Sequence, residues 1–367
     1  MATTDRIRIL LVAPSMNILG GQAVQAERLL ACLSEDASLQ VDFQPISPLL
    51  PGALARLDRV KFVRTIISLI LYCWQLGTRV WRYDVLHVFS AAYTSYMLWS
   101  LPALFFAKLY SKVIILHYHD GQAEDHLRNW KTALPTLRRM DAIVSPSPFL
   151  VDVFAKFGMP IRSIWNIIDA GDFKYRQRTA LRPVFLHNRI LEPLYNVPCA
   201  LRAFQIVQRR YPRASLTVAH DGPSRAELEA LARRLELHNT EFIGRVPHDR
   251  MAGLYDDADI YLTASDFDCM PGSILECFAS GLPVVATDTG GTPYIACDGE
   301  TALLVPLGDH EAMARSAIRL LEDPGLVERL TRNALASCER YDEPQIRKQW
   351  KELYEETWRK ARAASRR

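Results

Sequence analysis

No Cys-x-x-Cys pair occurs in the 367 residues. The seven cysteines (Cys32, Cys73, Cys199, Cys269, Cys277, Cys297 and Cys338) are scattered and odd in number. A zinc ribbon is excluded, a disulfide frame is disfavoured, and the pattern suits reduced thiols in a cytoplasm. No G-x-G-x-x-G is present, so a dinucleotide fingerprint is not supported. No apolar run reaches the ~18 residues that a membrane span requires. The nearest are TIISLILYCWQL (65–76) and YMLWSLPALFFAKLY (96–110). The second, rich in Trp, Tyr and Phe, reads as a buried helix of an α/β domain or as a helix resting on a membrane surface. The opening MATTDRIRILLVAP has too short an apolar run for a signal peptide and reads as a first strand. Internal repeats and low-complexity tracts are also lacking.

What is present is an ordinary globular balance, 49% hydrophobic and 23% charged, in a chain long enough for two domains. The net charge of +3 is unevenly spread. Residues 1–180 hold 20 Lys/Arg against 14 Asp/Glu, a net of +6; residues 181–367 hold 24 against 27, a net of −3. The basic half reads as chance or as a preference for an anionic partner, a phosphate or a lipid surface. Strands are expected at 7–13, 41–46, 85–89, 112–118, 142–145, 183–187, 215–220, 240–244, 259–264, 283–287 and 302–305. Helices are expected over 22–34, 148–157, 196–210, 224–236, 309–322 and 325–339. Near-continuous apolar strands alternating with helices imply parallel sheets covered on both faces, and eleven strands fit two doubly wound domains. The boundary is placed in the polar, basic stretch 166–183. In the last segment Trp350, Tyr354 and Trp358 recur every four residues as the aromatic stripe of one helix. The expected division is 1–168, 169–345 and a terminal helix 346–367 packed back on the first domain.

Open α/β sheets bind ligands beyond the carboxyl ends of their strands, and the candidate motifs fall there. Gly20–Gly21 opens a helix after the first strand, where glycine lets a diphosphate or an acceptor approach the backbone; a connecting loop is the alternative. ILHYHDGQAEDH (115–126) is not a clean metal set, and His119 within it reads as a site histidine or a structural one. Arg189 in FLHNRILEPLYN (185–196) has the planar fork that grips phosphate oxygens, unless it is a surface arginine. SDFDCMPGSILECFASGLPVVATDTGG (265–291) holds two acids, Asp268 and Glu276, with Pro271–Gly272 turning into a helix that bears Ser273. Glu276 sits among apolar and small residues, where a carboxylate is kept for a purpose. Asp268 either joins it or caps the turn. Gly290–Gly291 repeats the glycine loop at another strand end.

In their order along the chain, these segments resemble the GT-B-fold glycosyltransferases, specifically the retaining family 4 (glycosyl transferases group 1). The resemblance covers nearly the whole chain. Gly20–Gly21 matches the first-loop glycines of the family, His119 a histidine after an N-terminal strand, and Asn166 and Asp169 its linker residues. AHDGPSRAELEALA (219–232) is similar to the family's Gly-x-Gly-Pro turn, with His220 in place of the first glycine. The implied fold is α/β, two Rossmann-like doubly wound domains facing a central cleft, with a C-terminal crossover helix. The first domain would bind the acceptor and the second a nucleotide-diphosphate sugar, whose sugar moves to an acceptor hydroxyl with retention. In the resemblance Arg189 meets the departing diphosphate, Glu276 the ribose hydroxyls, Asp268 the transferred sugar, and His119 the reaction centre. The donor set adds Gly20, Gly21, Tyr195, Gly244, Arg245, Val246, Met270, Pro271, Gly272 and Ser273. No Asp-x-Asp is read as a metal motif at a strand end, so neither metal nor cofactor is expected; helix N-termini and loop amides share the charge.

Two positions depart from the family pattern. Asp268 stands where the family has Glu, and Tyr195 where it places a lysine about six residues after the arginine. Losing one oxyanion donor costs ~2.7–4 kcal/mol of transition-state stabilisation; Arg245 and Lys174 are candidates to replace the cation. The expected setting is cytoplasmic synthesis of a cell-surface polysaccharide or glycolipid, with a polysaccharide or lipid-linked acceptor and peripheral contact at the inner face of the membrane. Nothing points to nucleic acid. A sugar-nucleotide epimerase of the same fold, and a binding protein that has lost turnover, are the alternatives; Tyr195 favours the second.

Overall fold

The computed structural model describes residues 6–15, 21–47, 61–168 and 170–365. The chain divides into two units, Met1–Ile167 with Glu343–Arg367, and Ile168–Asp342. The sequence places these boundaries after 168 and 345. The first unit holds a parallel sheet of β1 (Ile7–Ala13), β2 (Leu39–Pro45), β3 (Val85–Ser90), β4 (Val113–Tyr118), β5 (Ala142–Ser145) and β6 (Arg162–Ser163), in the order β2-β1-β3-β4-β5-β6. A strand covered on both faces has no solvent side, and β1 is buried at every position except Arg8. β6 is absent from the expected set because two residues carry no periodicity.

The second unit repeats the plan with β7 (Val184–His187), β8 (Ser215–Ala219), β9 (Thr240–Gly244), β10 (Ile260–Thr263), β11 (Val284–Thr287) and β12 (Leu303–Val305). Its order is β12-β11-β10-β7-β8-β9, again parallel. The chain walks outward from β7 through β8 to β9, then restarts at β10 on the other side of β7. The switch point of this sheet is therefore the β7/β10 pair, where open sheets hold their ligands.

The basic stretch before β7 is framework of the second unit, not a loose linker. Arg176 Nη2 reaches Asp259 Oδ1 at 2.6 Å, and Arg182 Nε reaches Asp259 Oδ2 at 3.0 Å. Arg178 is buried and donates to the carbonyls of Tyr255 (2.6 Å), Ala258 (3.0 Å) and Ser280 (2.6 Å). Those carbonyls end the helices His248–Asp257 and Gly272–Ala279. One guanidinium thus satisfies orphan acceptors at the negative poles of two helices.

The C-terminal helix Glu343–Ser365 completes the first unit. Ile346, Trp350, Leu353 and Tyr354 lie in one apolar cluster with residues of β1, β3 and β4. The Trp350 ring centre is 4.4 Å from that of His87, and Tyr354 Oη lies 2.7 Å from His87 Nδ1. His87 Nε2 in turn faces His117 Nδ1 at 3.3 Å. Burial pushes the His87 pKa down to about 3 and that of His117 well below the ordinary 6.5. Both rings stay neutral in the fold and titrate normally when unfolded. Between about pH 6.5 and about pH 3 the unfolded chain therefore binds protons that the folded chain does not, so stability falls as the pH falls. Thermal melts across that range should show the decline, with a shallower slope for His87→Phe; an unchanged slope in the variant would remove His87 as its source.

Candidate functional site

β7 ends at His187, and Asn188 and Arg189 leave the sheet at its switch point. The neighbouring exit from β10 runs through Ser265–Asp268 and turns into the helix Gly272–Ala279. Backbone bonds tie these exits together: Asp266 N to Leu194 O at 2.9 Å, Gly291 N to Asp268 O at 2.8 Å, and Leu191 N to Asp221 O at 3.1 Å. Two glycines permit the close approach. A Cβ on Gly290, whose φ is +49°, would lie 2.2 Å from Asp268 O, and one on Gly222 would lie 2.4 Å from Leu191 O.

The folded exits gather Arg189, Tyr195, Asp268 and Ser273. Arg189 Nη2 pairs with Asp268 Oδ2, and Nη1 donates to Ser273 Oγ at 3.3 Å. The guanidinium carbon lies 4.4 Å from the centre of the Tyr195 ring. Tyr195 therefore offers the arginine an aromatic face instead of a second cation. Desolvation opposes the Arg189 charge; the Asp268 carboxylate, together with Tyr195, Tyr261 and Tyr255, outweighs it and holds the pKa above its ordinary value. Arg189 Nε is buried with no hydrogen-bond partner among the described residues. Asp268 Oδ1 accepts from Met270 N at 3.2 Å, so both oxygens of this acid are engaged.

A chain of hydrogen bonds leads from the ion pair to Glu276, and proton counting fixes its direction. Tyr255 donates to Glu276 Oε2 at 2.7 Å, and Asn188 Nδ2 donates to Tyr255 Oη at 2.6 Å. Tyr261 gives its one proton to Asn188 Oδ1 at 2.6 Å. The Ser273 hydroxyl, 2.9 Å from Tyr261 Oη, supplies the proton between those two oxygens. The relay thus begins on a guanidinium and ends on a carboxylate. Burial first, and neighbouring charges after it, raise both phenol pKa values, so both remain donors. Asn188, Tyr255 and Tyr261 are not among the sequence candidates. Adjacency to Arg189 is the one signal that could have found Asn188; two buried tyrosines look like core until their hydroxyls are placed.

His220 has a φ of 78°, in the left-handed region that favours glycine, and its N donates to Gly244 O at 2.7 Å. Desolvation and then Arg189 lower its pKa, Glu276 opposes them, and Arg245 lowers it further. The ring therefore shares a field with the candidate site. Gly244 takes a φ of +74° at the end of β9, Arg245 is exposed and Val246 half-buried. Met270 and Pro271 are buried, and Gly272 opens its helix. Neither Arg245 nor the exposed Lys174 bonds to the Arg189 cluster among the described residues.

Residues 20–172 match the family described as Glycosyltransferase Family 4, and residues 173–336 match glycosyl transferases group 1. The chain belongs to glycosyltransferase family 4. A lipopolysaccharide core biosynthesis glycosyltransferase of Rhizobium meliloti, LpsE, is 30% identical over 234 residues, 58% of this chain and 64% of that protein. A Mycobacterium tuberculosis glycogen synthase is 27% identical over 278 residues, 71% of this chain and 66% of that protein. An exopolysaccharide phosphotransferase of Streptomyces coelicolor is 31% identical over 211 residues, 57% of this chain and 22% of that protein. The chain thus spans between about a fifth and two thirds of these relatives. Among solved structures, Anabaena Alr3699/HepE in complex with UDP-glucose has a TM-score of 0.76 at 18% identity, over 96% of this chain and 100% of that one. Sucrose-phosphate synthase from Thermosynechococcus elongatus has a TM-score of 0.77 at 18% identity, over 96% and 99%. At such identity the likeness establishes the GT-B fold.

Of the remaining candidates of this family 4 chain, Gly20, Gly21 and His119 belong to the first unit. Gly21 opens the helix Gly21–Ser34 after β1; Gly20 and Asp169 lie outside the described residues. His119 follows β4, donates its N–H to Ser90 O at 2.9 Å and stacks on Phe89 with ring centres 4.9 Å apart. Burial pushes its pKa down to about 3. An Asp-x-Asp does follow β10, at Asp266 and Asp268, contrary to the expectation of none at a strand end. Its acids are committed elsewhere: Asp266 Oδ1 accepts from Asn196 at 2.9 Å, and Asp268 serves Arg189 and Met270 N. No cluster of three His, Cys, Asp or Glu among the described residues has a metal-binding arrangement. Gly290→Ala forces a Cβ against Asp268 O in the left-handed region. The expected loss of stability exceeds the ~1–2 kcal/mol of a left-handed residue, read from the urea midpoint; a parental midpoint would show that the β10 exit does not depend on this contact.

Proposed function

We propose that the chain moves a sugar from a nucleoside-diphosphate donor to an acceptor hydroxyl, with retention and without a metal ion. The Arg189–Asp268 pair with its relay to Glu276, at the switch point of the second unit, is the observation that carries this reading. A fold neighbour solved with UDP-glucose supports the donor class. Negative charge grows on the diphosphate as the sugar leaves. Arg189, with its Nε open, and the first amides of the helix Gly272–Ala279 are the groups that stabilise it. The diphosphate competes with Asp268 for the guanidinium, which frees the carboxylate for hydroxyls of the sugar. Tyr255 orients Glu276 toward the ribose hydroxyls. His119 takes its place at the reaction centre on the family resemblance, and the first unit takes the acceptor. A polysaccharide acceptor fits the relative named for glycogen synthesis, and a lipid-linked acceptor destined for the cell surface fits the one named for lipopolysaccharide core biosynthesis.

Nucleoside diphosphates, UDP among them, should raise the melting temperature of the parent chain and leave Glu276→Ala unmoved. Tyr255→Phe keeps the ring and loses one hydrogen bond to a charged group, so affinity should fall roughly tenfold or more. No shift with any nucleoside diphosphate would sink the donor assignment. With a panel of sugar nucleotides and acceptors, acceptor-dependent product marks a transferase. An altered donor without acceptor marks an epimerase, and binding without turnover marks a silent protein. Turnover should survive a chelator; activity lost on chelation and restored by Mg2+ would overturn metal independence.

A further inference from the structure

Of the twelve large hydrophobic side chains exposed among the described residues, eight fall between Val63 and Leu109 in the first unit. The helix Lys61–Arg79 turns Ser68, Tyr72 and Leu76 inward. Its opposite face carries Val63, Ile66, Ile70 and Trp74, of which the last three are 59%, 63% and 66% exposed. Spacings of three, four and four residues put these on one stripe. Trp81, 53% exposed, follows the helix end. The helix Leu101–Leu109 lies alongside. A Cβ on Gly77 would be 3.2 Å from the Phe106 ring, and Tyr110 Oη donates to Gly77 O at 2.8 Å. This second helix adds exposed Phe105 and Leu109 to the same region.

Charge along the two helices of the stripe is basic, and the one acid between them, Asp84, is paired with Arg8. Residues 61–83 contain Lys61, Arg64, Arg79 and Arg82 and no acid, and residues 85–119 contain Lys108 and Lys112 and no acid. Lys108 is paired with Asp141 and Arg79 is bonded to Gln44, whereas Arg64 and Arg82 stand exposed beside the stripe. No described helix is long and apolar enough to cross a membrane. An exposed Ile/Trp stripe flanked by arginines matches the boundary between acyl chains and phosphate headgroups. A second copy of the chain fits less well, because a two-fold contact through this face would set basic rims against each other.

We propose that this face docks the first unit on a bilayer containing anionic lipid, with Ile66, Ile70, Trp74 and Trp81 at the headgroup boundary and Arg64 and Arg82 on lipid phosphates. The surface belongs to the first unit and the donor-site residues to the second. The test is co-sedimentation of the full chain with phosphatidylcholine vesicles, with and without phosphatidylglycerol. The parent should pellet with the anionic vesicles and lose part of that binding in high salt. The exposed double substitution Ile70→Asp with Trp74→Asp should reduce pelleting roughly tenfold or more, while its melting temperature and any nucleoside-diphosphate shift stay at the parental level. Arg64→Glu with Arg82→Glu should abolish the preference for phosphatidylglycerol. A parent that stays in the supernatant, an aspartate variant that pellets like the parent, or a parental dimer that the variant converts to monomer without any vesicle binding, each overturns the proposal.

Discussion

A guanidinium drawn largely out of water needs its donors and its charge met; carbonyls serve Arg178, and a carboxylate serves Arg189. Its partner, Asp268, comes from the exit of a different strand, so the two exits have to meet. Meeting is what the backbone bonds around Asp266, Asp268 and Leu191 enforce, and it is why Gly290 and Gly222 lie where a Cβ would collide with a carbonyl. Removing one member of such a pair strands the other charge; a fully buried pair loses about 3–5 kcal/mol, and this one, with side chains 14% and 11% exposed, loses less. The ion pair therefore sets the shape of the strand ends before any ligand arrives.

The two departures from the family pattern belong to one arrangement. Tyr195 covers a face of the guanidinium while Asp268 and Ser273 take its edge. A cation over an aromatic ring gains about 0.5–2 kcal/mol, most where water is excluded. The single arginine is thereby held rigid, and Ser273 couples it to the tyrosine–asparagine relay that ends on Glu276. A charge change at either acid is felt along one continuous set of hydrogen bonds, because each hydroxyl has a single proton to give.

Eleven of the twelve strands were legible, the central ones most clearly, because strands buried on both faces leave an unbroken apolar signal. β6 was not, since Arg162–Ser163 is too short for any pattern. Glu276 stood out as a carboxylate among apolar neighbours. Arg178 did not, because it bonds to carbonyls 77 to 102 residues away. The tyrosines of the relay were hidden for a similar reason: a buried ring reads as packing, and only the fold shows where its hydroxyl points. The helix at 61–79 was opaque in another way. It is apolar on both faces, so the sequence showed 65–76 only as an apolar run too short to span a membrane and drew attention to 96–110 as the surface candidate. Solvent exposure at Ile66, Ile70 and Trp74 separates the two faces.

The C-terminal helix has a consequence for how the chain is made. The second unit is one continuous stretch, Ile168–Asp342, and leaves the ribosome with all its strands in hand. The first unit begins earlier and finishes later. Until Trp350 and Tyr354 emerge, the cluster that includes β1, β3 and β4 lacks its cover, and His87 waits for the hydroxyl that meets its Nδ1. Domains generally fold in the order of synthesis. Here the unit whose strands are translated earlier is the unit completed later, when the helix Glu343–Ser365 closes over it.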